Sequence, residues 1–329
     1  MENKKTPSSI RMACKEHLGK EPSKWIRITT GLFNETFILK FPKDIFIQGR
    51  DEKPLDEFII RIAPADDVGL IFYEKHMMWQ EPDIHKILLE KTSIPVPEIF
   101  IADFSREIMD RDFLIMEKLD GTPLNQVYSS LDRNKILSVY NQVGDFISQA
   151  HEITYEEYGY RGSHHPCQTA TSWPKAFKIM WNCLLDDLVD CEAYSEREAN
   201  EFREVLGKHS SSFNQDFRAS LLHMDVWSQN ILINKKGDVT GLVDWDRSLS
   251  GDPEIEFSVL EYCGLTNESF WMGYGEKPPL DDEDYKIRMK FYFLYEHQKY
   301  IVINSTRRKN KVKAESFKND AKRILRRLR

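Results

Sequence analysis

Residues 221–246 read LLHMDVWSQNILINKKGDVTGLVDWD, and the order of polar residues in this stretch decides how the whole chain is read. His223, Asp225 and Asn230 form an H-x-D-x-x-x-x-N arrangement, and Asp244 follows a short apolar run. Two β-favouring runs, residues 230–233 and 239–243, flank a Lys-Lys-Gly-Asp turn. The first motif therefore lies on a loop ahead of a hairpin, and Asp244 ends the second strand. Both Asn230 and Asp244 then emerge at one edge. Phosphoryl transfer needs such a set: one carboxylate to orient a hydroxyl, and an amide with a second carboxylate to hold Mg2+. A surface hairpin with acids placed by chance would explain Asp238 or Asp246 equally well. It does not explain four positions in this order and context.

Composition frames the reading. At 329 residues and 41% hydrophobic content, the chain can bury a substantial core in two lobes. No apolar run approaches the roughly 20 residues of a bilayer-crossing helix. The opening MENKKTPSSIRMACKEH lacks the apolar stretch of a secretory signal, so a cytoplasmic protein is expected. Cys14, Cys167, Cys183, Cys191 and Cys263 show no C-x-x-C spacing and read as reduced thiols. The pair His164-His165 has no second ligand cluster and reads as a loop. Charge is uneven: residues 307–329 hold eleven Lys or Arg against two Asp or Glu, a balance of +9, which leaves −16 for the rest of a chain of net −7. Phe317, Ala321, Ile324, Leu325 and Leu328 recur there at helical spacing, so an amphipathic helix docked on the larger lobe is expected. No aromatic stacking platform accompanies its basic face, and no nucleic-acid partner is expected.

The two motifs resemble the aminoglycoside phosphotransferase and choline kinase group, which shares the protein-kinase fold. His223-Met224-Asp225 stands where protein kinases have His-Arg-Asp, and Asp244-Trp245-Asp246 where they have Asp-Phe-Gly. Residues 251–257, GDPEIEF, are similar to the G-D-P-x-x-D-F segment of the small-molecule branch, with Glu256 in place of Asp, a change expected to alter a structural hydrogen bond. No A-P-E segment follows, unlike in protein kinases. The resemblance implies an α+β bilobal protein-kinase-like fold. Residues 1–116 would form a small β-rich nucleotide-binding lobe, and residues 117–329 a large, mainly helical catalytic and acceptor-binding lobe.

The likeness extends upstream. Residues 29–41, TTGLFNETFILKF, read as a hairpin turning at residues 31–35. Its counterpart in the family covers the ATP phosphates, which would place Gly31 and Asn34 there. Arg61, in the strand of residues 57–63, stands where the family offers a Lys to the α- and β-phosphates; Lys40 is the rival. Arg is a planar fork and Lys a point charge, so phosphate geometry changes while the charge does not. Residues 73–92 read as helical, in two pieces because Pro82 suits a first helical turn. Glu81 at the joint is the candidate partner of the phosphate-binding cation, with Glu74 the alternative. Residues 112–123 resemble the interlobe hinge, which implies that the Glu117 carbonyl and the Leu119 N–H meet adenine over a floor of Leu232 and Val243. These two also read as ordinary core residues.

The resemblance implies in-line transfer of the γ-phosphoryl of ATP to a small-molecule hydroxyl, with Mg2+ held by Asn230 and Asp244. Asp225 is the catalytic carboxylate. His223, in the catalytic motif, is a brace for its loop. The acidic residues Asp186, Asp187, Asp190, Glu192, Glu196, Glu198 and Glu201, with the run at 280–284, would suit a cationic acceptor such as an aminoglycoside. Trp173, Trp181, Trp271 and Tyr274 would cap a quaternary ammonium or sugar face. The alternatives are a metabolic kinase of choline, an amino alcohol or a sugar, and a nucleotide-binding pseudokinase.

Overall fold

The computed structural model describes residues 8–29, 33–47, 54–65, 69–161 and 166–329. Gly31 and the pair His164-His165 lie outside these residues. The chain begins with α1 (Ser8–Leu18), β1 (Lys24–Ile28), β2 (Glu35–Ile45) and β3 (Leu55–Ile62). A 3-10 turn at Met77–Gln80 leads into α2 (Glu81–Lys91), followed by β4 (Ile99–Asp103) and β5 (Phe113–Glu117). The strands form one antiparallel sheet in the order β1-β2-β3-β5-β4. Successive side chains on a strand point to opposite faces. Phe37, Leu39 and Phe41, with Phe58, Ile60, Ile62, Phe113 and Ile115, accordingly share one face, covered by Ile10, Ala13 and Cys14 of α1. The other face carries Ile59, Leu114 and Met116 against Met78. Arg61 is two residues beyond Ile59 and belongs to this second face, paired in register with Thr36 and Leu114. The expected hairpin is present, but its first strand lies earlier than residues 29–41 suggest, ending at Ile28 opposite Thr36.

Beyond the sheet come β6 (Thr122–Pro123), α3 (Leu124–Val127), α4 (Arg133–His151), β7 (Thr154–Tyr155) and β8 (Gly159–Tyr160). Then follow α5 (Trp173–Asp190), α6 (Glu196–Lys208), β9 (Ala219–Leu222), β10 (Ile231–Ile233), β11 (Val239–Leu242) and β12 (Leu249–Gly251). The chain closes with α7 (Pro253–Tyr262), α8 (Glu268–Tyr274), α9 (Glu283–Ser305) and α10 (Lys311–Leu328). This is the α+β arrangement expected. Helix α4 buries Val139, Tyr140, Val143, Ile147 and Ala150, apolar residues that recur at helical spacing. The larger core also takes in Ile71, Tyr73, Ile84, Leu88, Ile94 and Val96, which precede residue 116. The Leu242 N–H donates to the Pro95 carbonyl at 2.9 Å, so the segment after α2 is tied to β11.

Helix α9 runs through the middle of this core and buries Arg288, Glu296, Gln298 and Lys299 along with its apolar residues. A buried charge persists only when paired and hydrogen-bonded. Arg288 therefore makes two bonds to Glu254, at 2.6 and 2.9 Å, and Glu296 takes Arg247 at 2.5 Å and Lys299 at 2.6 Å.

One expectation about the larger lobe is corrected. Trp173 and Trp181 are core residues with 1% and 0% exposure, and neither is available as a cap. Trp271 and Tyr274 pack on Phe257, and the Tyr274 hydroxyl is hydrogen-bonded to His151 Nδ1 at 2.9 Å. Several of the acidic residues have partners within the chain. Asp186 binds Arg203, Glu198 binds Lys318 and Lys322 of α10, and Glu201 binds Arg329. Asp187 accepts the Phe72 N–H at 2.7 Å, and Asp282 caps α9 through the Tyr285 N–H at 2.6 Å. The basic tail thus docks on the acidic helices, burying Ala314, Ala321, Leu325 and Leu328.

Glu198 titrates with this docking. Partial burial pushes its carboxyl up, but hydrogen bonds from Lys322, the Ser195 N–H and Lys318 outweigh that and hold it at about 2, below its ordinary 4.5. A depressed carboxyl contributes stability that is complete above the unfolded value and lost as pH falls through the folded one. Glu198→Gln, which keeps the α6 capping box able to form, should lower the melting temperature at neutral pH. The gap to wild type should close between pH 4.5 and pH 2. Thermal melts across that window check this, and an unchanged gap at the acidic end would disprove it.

Candidate active site

The loop from His223 to Asn230 leaves β9 and enters β10, both buried, so its ends are fixed. Fully buried His223 packs on Trp245 with ring centroids 4.3 Å apart and planes tilted by 40°. Its Nδ1 accepts the Asp225 N–H at 3.2 Å, which leaves Nε2 to donate to the Val243 carbonyl at 3.1 Å. Both ring nitrogens are occupied, so the imidazole is a strut between the loop and β11 and has no lone pair free to act as a base. Met224 has φ 65°, a left-handed conformation that a non-glycine side chain enters only under constraint. The constraint is visible: its N–H donates to Glu256 Oε1 at 2.6 Å, and its carbonyl accepts from Arg247 at 2.6 Å. Glu256 also binds His151 Nε2 at 2.7 Å, so the Glu in the GDPEIEF segment has a structural hydrogen-bonding role. Asp225 is steadied by Asn230, whose Nδ2 donates to its carbonyl at 2.9 Å and to Oδ2 at 3.2 Å. That orientation turns the Asn230 amide oxygen away from Asp225.

Opposite this loop, Arg61 is 7% exposed and meets three carboxylates. One end of its guanidinium binds Glu81; the other binds Asp244 at 2.5 Å and Asp246 at 2.9 Å. Burial opposes its charge, but Asp244, Glu81 and Asp246 outweigh that and raise its pKa. Glu81 is wholly buried at the start of α2, where Pro82 opens the helix, and burial pushes it up less than Arg61 and His85 pull it down. Burial and the neighbouring Asp244 push Asp246 well above its ordinary value, against the pull of Arg61. Gln80 donates to the Asp246 and Ser248 carbonyls, the latter at 2.9 Å, and clamps the α2 approach to the Asp244 segment. Asp244 has φ 74°. Its side chain is 36% exposed against 0% for Glu81 and 7% for Asp246, so it is the acid of the three that a ligand reaches.

One guanidinium among three carboxylates leaves a deficit of positive charge that a divalent cation would offset. Among the described residues no three His, Cys, Asp or Glu are arranged to hold a metal by themselves. Mg2+ asks less, using one or two protein oxygens and the phosphates of its nucleotide. The Asn230 amide oxygen and Asp244 fit that requirement. A cavity of about 660 Å³ joins these groups, lined by Asn34, Arg61, Asp225, Asn230, Asp244 and Asp246. That volume falls within the roughly 300–1,000 Å³ usual for small-molecule sites.

The remaining candidates take other places. Asn34 reaches across to Asp246 Oδ2 at 2.9 Å. Lys40 pairs with Glu57 on the small sheet, and Glu74 pairs with Arg307 at 2.8 Å, so neither rival joins the Arg61–Glu81 pair. Glu117, Leu119, Leu232 and Val243 do not border the cavity. Glu117 donates its N–H to the Glu98 carbonyl at 2.8 Å, and Val243 donates to the Asn230 carbonyl at 3.0 Å. Leu119 and Leu232 converge on Gly241, where a Cβ would stand 3.1 Å from Leu119 and 2.8 Å from Leu232. Reading the sequence missed Asp246, whose signal was a second acid two residues after Asp244. It also missed Gln80, Lys299 and Arg307, which carry no local signal.

Compared with known proteins, residues 51–275 match the model of the phosphotransferase enzyme family (APH). A probable acyl-CoA dehydrogenase of Arabidopsis thaliana, IBR3, is 23% identical over 63% of this chain, a match spanning 25% of that protein's length. A probable ketoamine kinase of Vibrio vulnificus (strain CMCP6) is 23% identical over 64% of this chain and 69% of its own. Two solved structures share the fold. A thermostable mutant of aminoglycoside phosphotransferase APH(4)-Ia, in complex with ADP and hygromycin B, superposes with TM-score 0.63 at 16% identity, covering 97% of this chain and 98% of that one. A protein of Thermobifida fusca YX-ER1 assigned as a fructosamine-3-kinase superposes with TM-score 0.64 at 16% identity, covering 98% and 100%.

Removing Arg61 should leave two buried acids without their cation. Arg61→Met is expected to lower unfolding stability by about 3 kcal/mol, as for other broken buried pairs. Urea denaturation at neutral pH measures this, and a loss below about 1 kcal/mol would show that the cluster does not need its guanidinium.

Proposed function

The chain belongs to the phosphotransferase enzyme family, and we propose that it is an ATP-dependent kinase moving the γ-phosphoryl group to a hydroxyl of a small molecule. The observation that carries this reading is the meeting of Asp225, Asn230, Asp244 and Arg61 on one cavity. Asp225 orients the acceptor hydroxyl and takes its proton as the oxygen attacks phosphorus in line with the departing ADP. Asn230 holds Asp225 in place through Nδ2. His223 and Glu256 keep the loop in its strained shape. Arg61, anchored by Glu81, would turn the end held by Asp244 and Asp246 toward the α- and β-phosphates. Asn34 covers them. Mg2+, held by Asn230 and Asp244, would offset phosphate charge when bound with the nucleotide. Adenine would meet the Glu117 carbonyl and the Leu119 N–H, over Leu232 and Val243. In this reading residues 1–116 serve the nucleotide and 117–329 the acceptor. The five free cysteines support a cytoplasmic setting.

The ADP and hygromycin B of the APH(4)-Ia complex support ATP as donor and an aminoglycoside as acceptor, with drug resistance as the consequence. The ketoamine and fructosamine kinases support a metabolic acceptor on the same core. Both readings are separated by measuring ADP release with aminoglycosides, macrolides, choline and sugars.

Asp225→Ala should lower turnover by about three orders of magnitude or more, with Mg·ATP affinity unchanged within about twofold. Single-turnover kinetics and nucleotide titration check both quantities. Retained turnover would remove Asp225 from its role, and lost nucleotide affinity would place it on the donor side.

A further inference from the structure

The cavity extends past Asp225 to a wall built by α9 and α10. Between residues 296 and 317 that wall presents four cations, Lys299, Arg307, Arg308 and Lys313, against the single carboxylate of Glu296. Their pairing is uneven. Arg307 binds Glu74 at 2.8 Å and lies 5.1 Å over the Phe33 ring, and its Nη1 is buried with no hydrogen-bond partner. Lys299 is 6% exposed and shares Glu296 with Arg247, so this buried triad carries an excess positive charge. Arg308 and Lys313 are exposed at the cavity, and no carboxylate pairs with either among the described residues. Abundance of basic residues in the tail does not explain this. Further along α10, Lys318, Lys322 and Arg329 all have acidic partners on α6. The tail thus has acidic partners on the face that docks on α6, while Arg308 and Lys313 at the cavity have none among the described residues.

The wall lies on the Asp225 side. Burial and Arg247 work against the charge on Lys299, whereas Glu296, Tyr300 and Asp225 raise its pKa, so it stays protonated and within electrostatic reach of Asp225. Tyr300 and Phe317, stacked with centroids 5.2 Å apart, add an aromatic surface beside the cations. A polycationic acceptor placed here would face like charges, which disfavours binding.

Building on the kinase reading above, we propose that the acceptor is an anion, carrying a carboxylate or a phosphate held by Lys299, Arg308 and Lys313 while its hydroxyl meets Asp225. Charge-assisted hydrogen bonds from these donors would orient it, and the Tyr300–Phe317 surface would take its less polar part.

The test titrates citrate, inorganic phosphate and kanamycin into the full chain saturated with Mg·AMP-PNP, using calorimetry. The partner is the doubly substituted Arg308→Glu, Lys313→Glu chain, whose changes fall on exposed side chains and leave the core intact. Wild type should bind citrate or phosphate, and the variant should lose about tenfold or more in affinity for that anion. Preference for citrate selects a carboxylate acceptor, and preference for phosphate a phosphorylated one. Kanamycin should bind the variant more tightly than wild type. The proposal is overturned if neither anion binds, if kanamycin prefers wild type, or if the double change weakens Mg·AMP-PNP and leaves anion affinity alone. In the last case the cations serve the donor. Failure of Mg·AMP-PNP itself to bind would overturn the kinase reading as well.

Discussion

The guanidinium of Arg61 holds the two halves of the site in one arrangement. It leaves β3, is buried against the second face of the small sheet, and meets Glu81 from α2 with Asp244 and Asp246 from the loop after β11. A lysine at this position would offer a compact charge on a flexible stem. The planar fork binds in two directions at once and ties the small sheet to the larger core. Three acids around one cation are more negative charge than a buried place tolerates, and the upward pressure on Asp246 expresses that imbalance. Asp244 is the accessible acid of the three.

Around this cluster the loop from His223 to Asn230 is kept in shape by groups far apart in the chain. Glu256 from α7 and Arg247 from the loop before β12 grip Met224 from its two sides, and Arg247 is itself held by Glu296 of α9. Burial pushes Glu296 up, but Arg247 and Lys299 pull it down to about 2, so the pair stays ionised across the working pH range. The helix that supports the loop from behind is thus the one that lends Lys299 to the cavity. Support of the site and one of the cations of the cavity wall come from one element.

Charge is sorted along α10 in a way that net charge conceals. The tail's excess of +9 and the acidity of the remainder describe a surface as a whole. In three dimensions much of that acidity, on α5 and α6, is spent on Arg203 and on the docking of α10. Glu198 and Glu201 act as an internal clamp on α10, and Lys313 near the start of the same helix borders the cavity.

The sequence by itself determined the local pieces. Spacing placed Asn230 and Asp244 at one hairpin edge with Asp225 on the loop ahead of it, and helical spacing of apolar residues marks the buried stripe of α4. Pro82 made Glu81 a helix start, and this depends only on backbone chemistry. The displacement of β1 toward Lys24 escaped because residues on either side of a turn share the same β preference. Asp246 escaped because an acid flanking a motif looks the same whether it faces solvent or a guanidinium. Only the tertiary structure decided which charges meet. Pairings such as Arg61–Asp246, Glu74–Arg307 and Glu198–Lys322 join residues up to 233 positions apart. Coulomb energy depends on distance in space, and a linear pattern carries that distance only within the span of a single helix, strand or turn.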